Sequence, residues 1–114
     1  MAPNEAGSAA VRPIADIDRL IHEPARLMIL AVLYVVESAD FLFLMRQTGL
    51  TRGNLSSHMT RLEAAGYIDI KKEFVGKIPR TLLRLTARGR EAFETYRQGM
   101  IGVLEGLGDS TEKT

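Results

Sequence analysis

The 114-residue chain contains no cysteine, which excludes a disulfide framework, a thiolate zinc site and a thiol redox switch together. It also lacks a long hydrophobic run. The longest, LMILAVLYVV from Leu27 to Val36, has ten residues, well short of the ~20 that a membrane-spanning helix needs. The first residues, MAPNEAGSAAVRP, hold no apolar stretch of the kind a signal peptide requires. A cytoplasmic protein with no membrane partner is therefore expected. His22 and His58 are the only histidines, and neither has the neighbours of a metal site. The carboxylates are scattered, no serine stands in a nucleophile-elbow context, and the glycines form no phosphate loop. These absences argue against an enzyme, and no metal or cofactor is expected.

What is present is an ordinary soluble composition, 46% hydrophobic and 25% charged, in a length that suits one domain. The net charge of +1 hides an uneven distribution. Residues 1–50 carry four basic and six acidic side chains, 51–90 nine and three, and 91–114 two and five. The local balances are −2, +6 and −3. Basic charge is thus gathered in the middle of the chain, the pattern of a localised anion-binding face.

Residues 1–13, rich in Ala, Gly, Ser, Asn and Pro, read as a flexible tail. Ile14, Ile17 and Ile21 fall at helical spacing and predict a short first helix. Pro24 suits the first turn of a second helix running to about Ser38. Asp40 can cap a third helix with Phe41 and Leu44 facing inward, and Gly49 ends it. Thr51 caps a fourth, which Gly66 closes. The period then changes to alternation: YIDIKKEF places Ile68, Ile70 and Phe74 on one face of a half-buried strand. VGKIP is the turn, RTLLRL the returning strand, and Thr86 caps a last helix over 87–107, before a flexible polar tail at 108–114.

In the fourth helix Leu55, Met59 and Leu62 form the buried stripe, while polar and basic side chains spread over the open side. A short helix, a tight turn and a second helix with a polar N-terminal half match the helix-turn-helix plan. Arg52 and Asn54 suit base edges, since Arg pairs in bidentate fashion with guanine and Asn with adenine. The hairpin that follows bears Lys71 and Lys72 on its first strand, Lys77 at its tip and Arg80 on its return. A basic hairpin beside a reading helix is placed to grip phosphates or a minor groove.

From PARLMILAVL through TGLTRGNLSSHMTRLEAAGYIDIKKEFVGKIPRTLLRLTARGREAF, the chain resembles the winged-helix transcriptional regulators of bacteria and archaea related to the MarR and ArsR groups, most closely their short one-domain members. The resemblance covers residues 14–107, the domain proper. It implies a mainly α, α+β winged helix-turn-helix fold, and a homodimer whose N- and C-terminal helices form the interface. It also implies a recognition helix at 51–65 in the major groove and a wing at 71–80. By the resemblance Thr51, Arg52, Asn54, Ser56, Ser57, His58, Thr60 and Arg61 fall at DNA-facing helix positions, and Lys77 and Arg80 at wing positions. The chain is shorter than typical MarR proteins and lacks the Cys and His clusters of metal-sensing ArsR proteins, so metal sensing is not expected.

In the last helix Phe93, Tyr96, Met100, Val103 and Leu107 are spaced 3, 4, 3, 4, the seam of a short coiled coil. With Ile14, Ile17 and Ile21 they are the expected dimer interface, the alternative being a stripe that packs only on the chain's own first helices. Gly99, Gly102 and Gly106 would let a partner backbone approach. For His58 a phosphate or structural contact is expected, and for His22 helix-entry packing. The function expected is sequence-specific binding of double-stranded DNA by a homodimeric transcriptional regulator, a repressor by family tendency, with room for a small-molecule effector of unknown identity. The rival readings are a winged helix used for protein-protein contact and an architectural, non-specific DNA binder.

Overall fold

The computed structural model describes residues 17–113, and the side chains of 17–107. Its elements are α1 (Pro24–Val36), β1 (Ser38–Asp40), α2 (Phe41–Thr48), α3 (Arg52–Ala64), β2 (Ile68–Val75), β3 (Ile78–Leu85) and α4 (Ala87–Lys113). This is a mainly helical α+β arrangement with a small three-stranded antiparallel sheet in the order β1-β3-β2, the winged helix-turn-helix plan.

The helix ends follow local chemistry. Pro24 occupies the first turn of α1, and the Glu23 carboxylate accepts a hydrogen bond from the Arg26 amide. That bond, with the nearby charge of Arg26, holds the Glu23 carboxyl below its ordinary value despite some desolvation. Asp40 accepts from the Phe43 amide to cap α2, and Gly49 ends that helix with φ 72°. Thr51 accepts from the Asn54 amide to cap α3. Thr86 accepts from the Gly89 amide at the start of α4 while donating its hydroxyl to the Gly66 carbonyl, so one side chain ties the end of α3 to the start of α4.

Three elements depart from the sequence expectation, one of them α4, which runs to Lys113 where the expected last helix ends at 107. α1 stops at Val36 because Glu37 turns the backbone to φ 69°, which frees Ser38–Asp40 to pair with Leu82–Arg84 of β3. Three residues with one apolar side chain among them leave no periodic trace, so this strand is invisible in the sequence. The expected first helix is absent from its described part. Residues 17–23 form turns, in which Asp18 accepts from the Leu20 and Ile21 amides and, through its other oxygen, from the Tyr67 hydroxyl at 2.5 Å. Ile14 lies outside the described residues.

The core gathers one face of every element: Ile29, Leu30 and Leu33 of α1, Leu44 of α2, Leu55 and Leu62 of α3, Ile68 of β2 and Leu83 of β3, with Ile21 from the turn segment. Ile68 stands opposite Leu85 and Ile70 opposite Leu83, so the inner face of the hairpin is apolar near its base. Further out the pattern changes. Phe74, expected on the buried face, is 72% exposed, because the ribbon projects past the helices that would cover it.

α4 is the longest element, with 27 residues spanning roughly 40 Å, and it continues past Leu107. Its first half belongs to the core. Phe93 packs on Tyr34 with ring centroids 5.0 Å apart, and the Tyr96 hydroxyl is hydrogen-bonded to Nδ1 of His22 at 2.9 Å. Gly89 sits where α4 crosses the backbone of Tyr67.

Candidate nucleic-acid interface

The polar face of α3 is exposed as its periodicity requires. With Leu55, Met59 and Leu62 turned inward, the side chains of Asn54, Ser56, Ser57 and Arg61 face outward. Three residues of the expected set have part of their chemistry engaged. The Thr51 hydroxyl caps the helix, and Thr60 donates to the Ser56 carbonyl. His58 is half-buried, with Nδ1 3.2 Å from the Arg26 guanidinium. Guanidinium only donates, so Nδ1 is the acceptor in this contact. The contact with Arg26 is a structural one, made from inside the chain.

Arg52, at the helix entrance, lies over the ring of Phe41 at 5.2 Å. A cation held on an aromatic face loses rotamer freedom while keeping its donors at the edge of the plane. Phe41 thereby biases the orientation of the Arg52 guanidinium.

The wing supplies the second basic surface. Gly76, at φ 66°, is the first residue of a two-residue loop whose second is Lys77. Glu73 lies between two cations, 3.7 Å from Lys71 and 3.7 Å from Arg80. These pairs are open to solvent on their cationic side and stabilise little, but they set the spacing of the positive charges. Among the described residues, Lys72 and Lys77 have no ion-pair partner. A groove of about 900 Å³ runs between α3 and the wing, lined by Arg52, Ser56 and Thr60 on one side and Lys72, Arg80 and Thr81 on the other. Asp40 and Glu63 also border it, so its lining is not uniformly positive.

A second groove, about 690 Å³, lies between the turn segment and α4, bordered by Asp18, Tyr67, Arg88, Tyr96 and Gly99. Burial, together with the hydrogen bond to Asp18 and the charge of that carboxylate, pushes the Tyr67 hydroxyl up to about 12.

The expected dimer seam divides in two. Phe93 and Tyr96 are 8% and 7% exposed within the chain's own core, and Ile21 is fully buried, so these three present little surface to a partner. For Phe93 and Tyr96 the reason is Tyr34 and His22, whose rings meet them from within the chain. Met100 and Ile17 pack partly against the same core. Val103 is half-buried and Leu107 exposed.

Two residues that sequence reasoning passed over organise the interface. Arg26 is buried, donating through Nε to the Leu20 carbonyl at 2.6 Å as well as to His58. Its only trace in the sequence is a lone charge opening an apolar helix. Glu73 gave no signal apart from its place among lysines.

Comparison with known proteins agrees with this geometry. The chain is 35% identical over 78 residues to an uncharacterized protein of Methanocaldococcus jannaschii, covering 68% of this chain and 85% of that one. It shares its fold with the transcriptional regulator homologue protein from Pyrococcus horikoshii OT3, at a TM-score of 0.78 and 28% identity, over 87% of this chain and 97% of that one. At 18% identity it also has the fold of AbfR in an overoxidized, DNA-bound structure, with a TM-score of 0.61 over 98% and 88% of the two chains. The model of the winged helix DNA-binding domain matches residues 25–103, from the first turn of α1 into the second half of α4, and the chain belongs to that family.

Proposed function

We propose that the chain is a homodimeric transcriptional regulator, and specifically a repressor, that binds a two-fold-related operator in the cytoplasm. The observation that carries this reading is the facing of two positive surfaces across one groove, α3 with Arg52 and the wing with Lys72 and Arg80, with Arg61 and Lys77 exposed on the same two elements. α3 enters the major groove, where Arg52, Asn54 and Ser57 discriminate between bases. Lys71, Lys72, Lys77 and Arg80 supply the sequence-independent attraction to phosphate. Thr51, Ser56, Thr60 and Arg61 line the approach, and His58 acts from behind by holding the helix to Arg26.

Dimerisation uses the outer half of α4. Val103 is half-buried, Leu104 is 62% exposed, and Val35 and Val36 of α1 are exposed as well. A single small domain gains nothing from exposing these apolar groups, two of them on a long projecting helix, and a second copy would cover them. The repressor assignment rests on the resemblance to the regulator family. The groove beside Tyr67 and Arg88 is the place for a small-molecule effector, since it adjoins both α4 and the turn that leads to Arg26.

The deciding experiment is binding to the DNA just upstream of the chain's own coding sequence, against a scrambled duplex, at two salt concentrations. A preference of ~10³-fold or more with a steep salt slope is expected. Equal and weak binding to both duplexes would leave only a basic surface.

A further inference from the structure

Phosphate contact does not account for the apolar tip of the wing. Phe74, Val75 and Ile78 are exposed, Ile78 at 70%, and they adjoin Pro79 in the chain. The register pairs Val75 with Ile78 and Phe74 with Pro79. Side chains alternate along a strand, so Phe74 and Pro79 stand on one face of the ribbon and Val75 and Ile78 on the other. The pair that closes a two-residue loop exchanges both backbone hydrogen bonds, which makes Phe74–Pro79 the non-bonded pair above it. The missing N–H of Pro79 therefore faces the open edge, beyond the reach of β1, which pairs only with Leu82–Arg84. The proline costs the ladder nothing and stiffens the tip. Cations flank this apolar end on every side: Lys77 in the loop, Lys72 on the face of Phe74, and Arg80 on the face of Ile78.

We propose that the wing tip is an apolar wedge that enters the minor groove beside the major groove occupied by α3, widens it and bends the duplex. The proposal rests on the DNA-binding reading above and adds the side chains that deform the DNA. Dimensions favour it. At a rise of about 3.3 Å per residue, Lys72 and Arg80 stand roughly 7–10 Å behind the loop. The minor groove is about 7.5 Å deep, so these cations meet the phosphates at its rim when the tip is at its floor. The ribbon, with side chains on both faces, is about 10 Å thick, whereas the groove is about 6 Å wide. Entry requires the groove to open, and Phe, Ile and Pro are the kinds of side chain that occupy opened base steps. The deformation makes flexible pyrimidine-purine steps preferred under the wing, at base pairs that no polar side chain reads.

The test starts with duplexes selected by the protein from a randomised pool, labelled at both ends for energy transfer. The parent is expected to bring the ends closer on binding. The F74S/I78S variant, altered only at exposed positions and checked by its melting temperature, is expected to lose that change. It should also bind at least about tenfold more weakly, with the salt slope unchanged because every cation remains. Parent binding with no change in end-to-end distance, or a double variant that binds and bends like the parent, overturns the wedge while leaving the DNA-binding reading intact. A double variant altered only in its self-association or in binding another protein overturns it too. A parent that selects no duplex from the pool overturns both readings.

Discussion

The guanidinium of Arg26 donates to Nδ1 of His58 across 3.2 Å, joining the start of α1 to the middle of α3 from the inside. The same side chain holds the Leu20 carbonyl, so a single buried cation ties the turn segment to the reading helix. Arg26→Met keeps most of the packing but leaves both acceptors without their donor. A cost of about 2 kcal/mol follows, against about 1 kcal/mol for His58→Ala, which removes one acceptor. Urea denaturation of the two variants checks the order. The same variants should weaken DNA binding without changing the salt slope, since neither removes a phosphate contact. Equal stability of Arg26→Met and the parent would show that the bond does not hold α3.

Gly89 and Gly102 lie on the same helix and predict opposite outcomes. A Cβ at Gly89 would stand 2.0 Å from the carbonyl oxygen of Tyr67 and 2.8 Å from its carbon, and backbone cannot move aside as a side chain would. Gly89→Ala should cost ~3 kcal/mol by forcing α4 away from the hairpin. At Gly102 nothing lies within 4 Å, so Gly102→Ala should stabilise the isolated subunit by up to about 1 kcal/mol through helix propensity. Thermal melts at low protein concentration separate the two. If a partner backbone uses the space at Gly102, the gain will reverse as concentration rises into the dimer range.

Local chemistry made much of this legible in the sequence. Asp40, Thr51 and Thr86 cap the helices expected of them, and Leu55, Met59 and Leu62 are buried at the spacing that made α3 amphipathic. Each of those signals is contained within a few residues. What escaped depends on distant partners. β1 exists because Leu82–Arg84 offer an edge, and residues 17–23 take their shape from Tyr67 and Arg26. Periodicity places Phe93 and Tyr96 on a stripe but not what the stripe faces, which Tyr34 and His22 decide. Alternation likewise put Phe74 on the face of Ile68 without revealing that the core ends before it.

The outer half of α4 is the proposed dimer surface, and Leu104 is its test. At 62% exposed, its side chain contributes little to the fold of one subunit, so Leu104→Glu should leave the unfolding of the monomer nearly unchanged. Burial of that carboxylate between two subunits would be strongly unfavourable. Sedimentation equilibrium is expected to show the parent as a dimer and the variant shifted toward monomer. A variant that remains as dimeric as the parent would move the interface elsewhere, with Val35 and Val36 of α1 the next apolar surface to test.

The Tyr67–Asp18 bond ties the turn segment to the base of the wing, and its pH dependence has a definite sign. The hydroxyl, at 10.0 in an unperturbed tyrosine, is pushed up to about 12 by burial and by the neighbouring carboxylate. A group whose ionisation is raised in the folded state favours folding while protonated. Its contribution is complete below about pH 10, the unfolded value, and fades as pH climbs toward the folded value of about 12. Stability measured by urea denaturation should therefore fall over this alkaline window. In Tyr67→Phe the part of that fall owed to this hydroxyl should vanish, with stability at neutral pH about 1 kcal/mol below the parent for the lost hydrogen bond. Ultraviolet titration offers an independent check, because Tyr67 should ionise among the last of the three tyrosines. A Tyr67→Phe variant with the parent's alkaline profile would show that Asp18 and Tyr67 do not hold each other in solution. The turn would then have to be secured by Arg26, the His22–Tyr96 bond and the buried Ile21.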